Sequence, residues 1–209
     1  MWAWLATLNE TTEKKKIQSL PRELSLGKGG RLETRPLREL ERLRYDEFVL
    51  KNLTFAPDGH DSKTRITEID GDAFEIKIIA DREAATRRRF GFYLFADDQH
   101  EGLPVMIRPE CGSISLGEVD APFAVEDLPD GDDVELRIFV DKYLVEIFVN
   151  DRQALLTAYM DHGKANEVMG YTFGAAMTIR EVRIWRLMPT IQGFMKARAN
   201  RVWEPDTIR

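Results

Sequence analysis

Residues 134–149 read VELRIFVDKYLVEIFV, with apolar and polar side chains in alternation on both sides of Asp141 and Lys142. A period of two places alternate side chains on opposite faces of a β-strand. The two segments are separated by only two residues, which is the length of a tight hairpin turn. We therefore predict an antiparallel hairpin whose second strand begins at Tyr143. Its apolar face comprises Val134, Leu136, Ile138, Val140, Tyr143, Val145, Ile147 and Val149.

The same alternation recurs along the chain. In Phe74–Ile78 the apolar residues alternate with Glu75 and Lys77, which predicts a strand with one face in water. Further strands are predicted at Arg65–Ile69, Phe90–Ala96, Pro104–Arg108, Ser113–Leu116, Gln153–Tyr159 and Thr178–Leu187. Many short strands with few helical patterns predict an all-β fold, a two-sheet antiparallel β-sandwich.

Helical patterns are confined to two short stretches. Leu37, Leu40 and Leu43 follow Pro36 at a spacing of three, which predicts a short helix near residues 36–44. An apolar stripe predicts a second helix near residues 190–201, packed on the sandwich or docking another protein. That stripe consists of Ile191, Phe194, Met195, Ala199 and Val202.

The N-terminal part differs from the rest of the chain. We predict strands at Trp2–Leu8 and Ile17–Leu20, joined by a polar loop. A hairpin turn accounts for Gly27, Gly29 and Gly30 better than a phosphate-binding loop, because the Lys-Ser/Thr continuation of such a loop is missing.

Composition narrows the classes of function. The chain has 209 residues, 30 Lys and Arg against 36 Asp and Glu, and a net charge of −6, which disfavours nucleic acid as a partner. Cys111 is the only cysteine, which excludes an internal disulfide. The sequence lacks an apolar run of about 20 residues and an evident signal peptide, so we expect a cytoplasmic protein that does not bind membranes.

Two motifs resemble glycoside hydrolase family 32, the family of invertases, levanases and β-fructofuranosidases. Residues 20–26, LPRELSL, followed by Gly30-Arg31-Leu32, Arg35-Pro36, Glu39-Leu40 and Leu43-Arg44, are similar to the junction between its two domains. The hairpin at 134–149 resembles a segment of its C-terminal sandwich. The resemblance implies a jelly-roll sandwich of the concanavalin A-like type. It also implies that residues 1–35 are the last propeller strands and the junction, and that residues 36–209 are the sandwich domain.

The resemblance also implies where catalysis would occur. In this family the nucleophile lies in an Asn-Asp-Pro motif, a stabilising Asp in an Arg-Asp-Pro motif, and the acid in a Glu-Cys motif. Neither aspartate motif occurs in this chain. Glu110-Cys111 matches the acid motif but follows the junction instead of preceding it, so we interpret it as a coincidence. We predict no catalytic residue here, and a protein that resembles a β-fructofuranosidase but is inactive alone.

Metal and cofactor sites are not predicted. His60, His100 and His162 lie in separate polar segments without ligand spacing. The acidic residues of the turns, at Asp97-Asp98, Glu126-Asp127, Asp130, Asp132 and Asp133, are interpreted as solvated in preference to a calcium site. Arg87–Arg89, and the arginines that flank Trp185 at Arg180, Arg183 and Arg186, are interpreted as solvated or ion-paired.

The tryptophans are the remaining candidates for stacking on a sugar. Trp185 is predicted to be in the core, whereas Trp2 and Trp4 would contact the propeller in the family fold and be exposed without it; Trp203 is a fourth candidate. The function predicted is that of a structural or docking module related to sucrose or fructan hydrolysis. Its partner is then a separately encoded propeller or a second copy of the chain. The alternative is a stand-alone, lectin-like carbohydrate-binding protein, and a third reading is a fragment of a complete β-fructofuranosidase.

Overall fold

A computed structural model describes residues 1–5, 17–27, 30–56, 63–158 and 165–189. Two six-stranded antiparallel sheets pack face to face, so the predicted all-β sandwich is confirmed. Sheet I consists, in spatial order, of β11 (Val119–Pro122), β10 (Ser113–Leu116), β9 (Leu103–Arg108), β8 (Phe90–Ala96), β15 (Glu167–Thr172) and β6 (Lys63–Glu68). Sheet II consists of β14 (Gln153–Ala158), β13 (Leu144–Val149), β12 (Val134–Asp141), β7 (Ala73–Ala80), β16 (Met177–Leu187) and β5 (Arg44–Phe55).

The hairpin of β12 and β13 supplies much of the core. Leu136 lies opposite Val149, and Ile138 opposite Ile147, so their side chains share the face that meets sheet I. The turn differs by one residue from the prediction, since Asp141 pairs with Leu144 and the loop is Lys142–Tyr143. Lys142 adopts a left-handed backbone with φ of 57°, which reverses the chain there.

Before the sandwich lie two short hairpins, which we call the N-terminal arm (described residues 1–5, 17–27 and 30–36). β1 (Trp4–Leu5) pairs with β2 (Ile17–Gln18), and β3 (Arg22–Leu26) pairs with β4 (Leu32–Pro36). The glycines of the predicted turn therefore lie between two paired strands in the sequence. The Thr34 N–H donates to the Asp151 carbonyl at 2.8 Å, which ties β4 to the β13–β14 side of sheet II.

Helices are short, as predicted. The stretch near 36–44 forms a 3₁₀-helix at Arg38–Leu43. One α-helix, α1 (Arg82–Arg87), was not predicted, and it begins where the Asp81 carboxylate accepts a hydrogen bond from the Ala84 N–H. The helix predicted at 190–201 lies outside the described residues. In the part of the chain that the structure describes, no helix is long and apolar enough to cross a membrane.

Three strands of the sandwich, β5, β11 and β15, were missed from the sequence. β5 is an edge strand of twelve residues, and positive φ values at Asp46 and Asn52 interrupt its regular backbone. The register between β15 and β8 shifts between Glu167 and Met169. Irregularities of this kind change which side chains face the core, so the period-two signal disappears from the sequence.

Candidate functional site

The outer face of sheet II, directed away from sheet I, carries charges that have no access to water. Glu146, Phe139, Glu75 and Trp185 form one row across β13, β12, β7 and β16. Both glutamates are fully buried, and Phe139 lies between them. The predicted wet face of β7 is therefore wrong at Glu75, because side chains from outside the sheet cover it.

Glu146 binds the N-terminal arm. Its carboxylate accepts from Arg22 Nε at 2.6 Å and from the Leu20 N–H at 2.9 Å. Burial raises the pKa of Glu146, and the arginine charge and the backbone N–H only partly oppose that effect. The Arg22 guanidinium also lies 5.6 Å from the centre of the buried Phe148 ring. A carboxylate of sheet II thus holds the arm in place.

Glu75 binds two arginines. Arg44, the first residue of β5, donates from Nε and Nη2 at 2.7 and 2.8 Å, which is a bidentate pair. Arg137 donates from Nε at 2.8 Å. The Arg44 guanidinium stacks 4.1 Å from the Trp185 ring centre. Trp185 is buried as predicted, but under Arg44 on the outer face.

Sequence reasoning missed these two carboxylates. Two features of the sequence could have indicated these ion pairs. Each of two apolar strands contains a glutamate, and the segment that resembles the family junction contains arginines. That signal is weak, because a charge in a strand is normally solvated. The row becomes visible only when the strand register is known.

The turn end of the β3–β4 hairpin, remote from Arg22, is apolar and exposed. Leu26 and Leu32 lie opposite each other at the end of the β3–β4 hairpin, with 77% and 58% of their surface exposed. Leu24 and Trp2 are also exposed, so the expectation of an exposed Trp2 is met. The side chain of Trp4 and all of Trp203 lie outside the described residues. We call Leu24, Leu26 and Leu32 the apolar patch.

Glu110 lies in a 3₁₀-helix at Pro109–Cys111, on the surface of the sandwich. Its Oε1 accepts from Arg89 Nε at 2.8 Å. Desolvation acts to raise the pKa of Glu110, but the Arg89 hydrogen bond and its own backbone N–H outweigh it, so the pKa is lowered. A general acid requires a raised pKa, so this environment is the opposite of what the acid motif needs.

The histidines and acidic residues considered as metal ligands do not form a common site in the described part of the chain. Among the described residues, no group of three or more His, Cys, Asp or Glu side chains is arranged to hold a metal ion. The Asp97 carboxylate accepts from the backbone N–H groups of Glu101 and Gln99 within its own turn. His100 is exposed, and His60 and His162 lie outside the described part of the chain.

The basic runs form ion pairs. Arg89 pairs with Glu110 and Arg87 with Glu83, so two of the three arginines at 87–89 have acidic partners. The arginines that flank Trp185 are paired as well, with partners Asp81 and Asp133 for Arg180, Glu47 and Glu181 for Arg183, and Asp46 and Asp70 for Arg186.

Known proteins resemble this chain in sequence and in fold. The levanase of Bacillus subtilis (strain 168) is 30% identical over 165 residues, which cover 70% of this chain and 23% of the levanase. The crystal structure of exo-inulinase from Aspergillus awamori superposes with a TM-score of 0.68 at 18% identity, over 91% of this chain and 40% of the inulinase. The structure of sucrose-6-phosphate hydrolase from Lactobacillus gasseri superposes with a TM-score of 0.62 at 19% identity, over 90% of this chain and 38% of that protein.

The chain spans about a quarter of the length of the levanase and less than half of each of these solved structures. Residues 39–186 match the family described as Glycosyl hydrolases family 32 C terminal. This range begins in the 3₁₀-helix at Arg38–Leu43 and ends one residue before the end of β16, so it includes all twelve strands of the two sheets except Leu187. Sequence and fold agree, and the chain belongs to glycosyl hydrolase family 32 as a C-terminal β-sandwich.

Proposed function

We propose that this chain is the sandwich module of an enzyme that hydrolyses sucrose or fructans, and that it supports a catalytic propeller without performing the reaction itself. Residues 1–35 would then be the end of the propeller and the junction, and residues 36–209 the supporting domain. The levanase similarity favours fructans as the substrate class.

The observation that carries the proposal is the arm, whose two ends differ. The β3–β4 hairpin is anchored at one end by the buried pair of Arg22 with Glu146, and its turn end exposes the apolar patch. Neighbouring exposed apolar side chains commonly mark a protein–protein contact. An arm that is anchored at one end and exposes apolar side chains at the other fits a module that docks a second domain.

The chemistry favours the same reading. Hydrolysis with retention needs two carboxyl groups about 5 Å apart, one of them a proton donor. Glu110, the single residue that matches a catalytic motif, has a lowered pKa and an arginine partner. The purified chain is therefore expected to release no fructose from sucrose or levan.

A chimera tests the docking role. The matched segment of the Bacillus subtilis levanase is replaced by this chain, and levan hydrolysis is compared with that of the same levanase lacking the segment. We expect the chimera to hydrolyse levan faster than the levanase that lacks the segment. Leu26→Asp with Leu32→Asp should remove most of that gain, because two carboxylates would be buried in the contact.

Val119→Asp is the matched control, because Val119 is also exposed but lies on β11 at the far edge of sheet I. It should leave the gain unchanged. Equal activity of the arm variant and the control would argue against docking through the apolar patch. Hydrolysis of levan by the chain alone would contradict the supporting role.

Self-association is the second candidate, favoured by the same exposed leucines. Light scattering at high concentration distinguishes self-association from docking of a propeller. If the chain is a dimer and Leu26→Asp dissociates it, the partner is a second copy of the chain. The carbohydrate-binding alternative gains no support from the relatives above, whose names are those of hydrolases.

A further inference from the structure

A cleft of about 370 Å³ opens at one end of the sandwich, on neither the arm nor the outer face of sheet II. The turn between β6 and β7 forms one wall, and Ala165 and Asn166, directly before β15, form the other. Its floor is apolar and includes Ile69, Phe74 and Phe95, all buried. The ring centres of Phe74 and Phe95 are 6.2 Å apart.

Backbone hydrogen bonds hold the walls of this cleft. The Ile69 N–H donates to the Asn166 carbonyl at 2.9 Å, which links the two walls. The Lys142 N–H, in the turn between β12 and β13, donates to the Asp72 carbonyl at 2.6 Å. The cleft is therefore formed before any ligand arrives, as most small-molecule sites are.

Phe95 has an unusual backbone. Its φ is 55°, in the left-handed region that a bulky aromatic residue rarely adopts. It lies beside the register shift between β8 and β15, and as a result Leu94 and Phe95, although consecutive, are both buried in the core. Irregularities that re-aim a side chain in this way concentrate at binding sites.

The rim is polar, with Asp70, Asp72 and Asn166 exposed above the apolar floor. Asp70 is 3.3 Å from Arg186 Nη2, with which it forms an exposed ion pair. Within the described chain, the side chains of Asp72 and Asn166 have no hydrogen-bond partner. The rim thus offers a carboxylate and a carboxamide to a ligand, and together these groups can accept and donate hydrogen bonds.

We propose that this cleft binds one residue of a neutral sugar. The C–H groups of a sugar ring suit the apolar floor, and its hydroxyl groups suit the Asp72 carboxylate and the Asn166 amide. Anionic ligands such as sugar phosphates are disfavoured, because both charged groups of the rim are carboxylates. The choice of fructose, sucrose and levan oligosaccharides as probes rests on the proposed function.

The test is a titration of the full chain with these three sugars, followed by isothermal calorimetry and by amide chemical shifts. We expect saturable millimolar binding, with shifts confined to the cleft. Asp72→Ala combined with Asn166→Ala should weaken binding at least tenfold. Both residues are exposed, so the variant should keep the unfolding temperature of the unmodified chain.

Asp132→Ala is the matched control, since Asp132 is an exposed carboxylate in a different, acidic cleft beside Asn150. It should bind sugar as the unmodified chain does. The inference is overturned if none of the three sugars saturates, or if both variants bind equally well. Tighter binding of choline, a small organic cation, than of any sugar would also overturn it.

Failure of this inference can be distinguished from failure of the proposed function. A chimera that gains levan hydrolysis from this chain while the cleft binds no sugar would leave the docking role standing. If the chain binds sugar, the double variant Asp72→Ala with Asn166→Ala weakens that binding, and the chain does not support the levanase, the cleft proposal stands and the docking role is overturned.

Discussion

Two fully buried carboxylates define the outer face of sheet II. Removing an ionised carboxylate from water costs several kcal/mol unless its partners replace the hydration. Glu75 has three hydrogen bonds from arginines, and Glu146 has one from Arg22 and one from a backbone N–H. Glu146 has fewer charged partners, and burial raises its pKa.

Replacing Glu146 with Ala should be strongly destabilising. It leaves the buried Arg22 guanidinium and the Leu20 N–H without an acceptor, which we expect to cost about 3 kcal/mol of unfolding free energy. Urea denaturation measures that difference. Glu110→Gln is the control, because the exposed pair with Arg89 should contribute no more than about 0.5 kcal/mol. Equal effects would mean that the arm is not anchored through Glu146.

Glu146 should also make stability depend on pH. Its pKa is raised in the folded state, so the folded chain keeps this proton after the unfolded chain has lost it, at about pH 4. The contribution is present below that pH and is lost as pH rises through the folded pKa. Glu146→Gln should therefore gain stability relative to the unmodified chain as pH rises from about 4 to 7. A constant difference would contradict this assignment.

Gly170 is a position where only glycine fits. A Cβ there would lie 2.1 Å from the Phe55 ring, which is buried between the sheets. Gly170→Ala should cost about 1–3 kcal/mol, because the ring must move within a packed core. In a Phe55→Leu background the same change should cost less. An unchanged cost in that double-mutant cycle would show that the contact with Phe55 is not responsible.

At the scale of elements, the central hairpin is the feature that the sequence predicted best, and its turn is where the prediction failed. Alternation specifies which residues face the core but does not specify which two residues form the turn. Both loops, Asp141–Lys142 and Lys142–Tyr143, contain Lys142, and the left-handed backbone at Lys142 selects the second.

Lys142→Gly should stabilise this hairpin. A left-handed conformation costs a residue with a Cβ about 1 kcal/mol, whereas glycine adopts it freely. After subtraction of the entropy that glycine loses on folding, we expect a gain of about 0.5 kcal/mol in thermal or urea unfolding. Lys142→Ala, which removes the same side chain and keeps the Cβ, should give no gain. A loss with glycine would contradict the assigned turn.

The edge strand β5 shows why some elements cannot be predicted from one sequence. Apolar and polar residues alternate poorly along β5, because an edge strand has a neighbouring strand on one side only. The positive φ values at Asp46 and Asn52 also interrupt its regular backbone. Its position beside β16 is set by pairs such as Leu50 with Val182, which are far apart in sequence. Such pairs depend on packing and leave no local pattern.

For the whole molecule, surface carboxylates should govern acid unfolding. Arginine hydrogen bonds lower the pKa of Glu23 and Glu181, and backbone N–H groups lower that of Asp97. Because these pKa values are lower in the folded state, their stabilisation is present above about pH 4 and is lost as pH falls through the folded values. Urea midpoints measured from pH 7 to 2.5 should fall on the acidic side, less steeply in high salt. A midpoint that rises towards pH 2.5 would contradict this.

The sequence alone determined the all-β class, most strand positions and the family resemblance, because period-two alternation and short motifs are local properties of the chain. The tertiary structure decided which charges are buried, where the arm lies and where a cleft opens. Glu75 and Glu146 read as ordinary solvated residues until the strand register places them beside Phe139 and beneath arginines from distant segments. Burial is a property of what packs on a face, and the sequence of a strand records only which residues share that face.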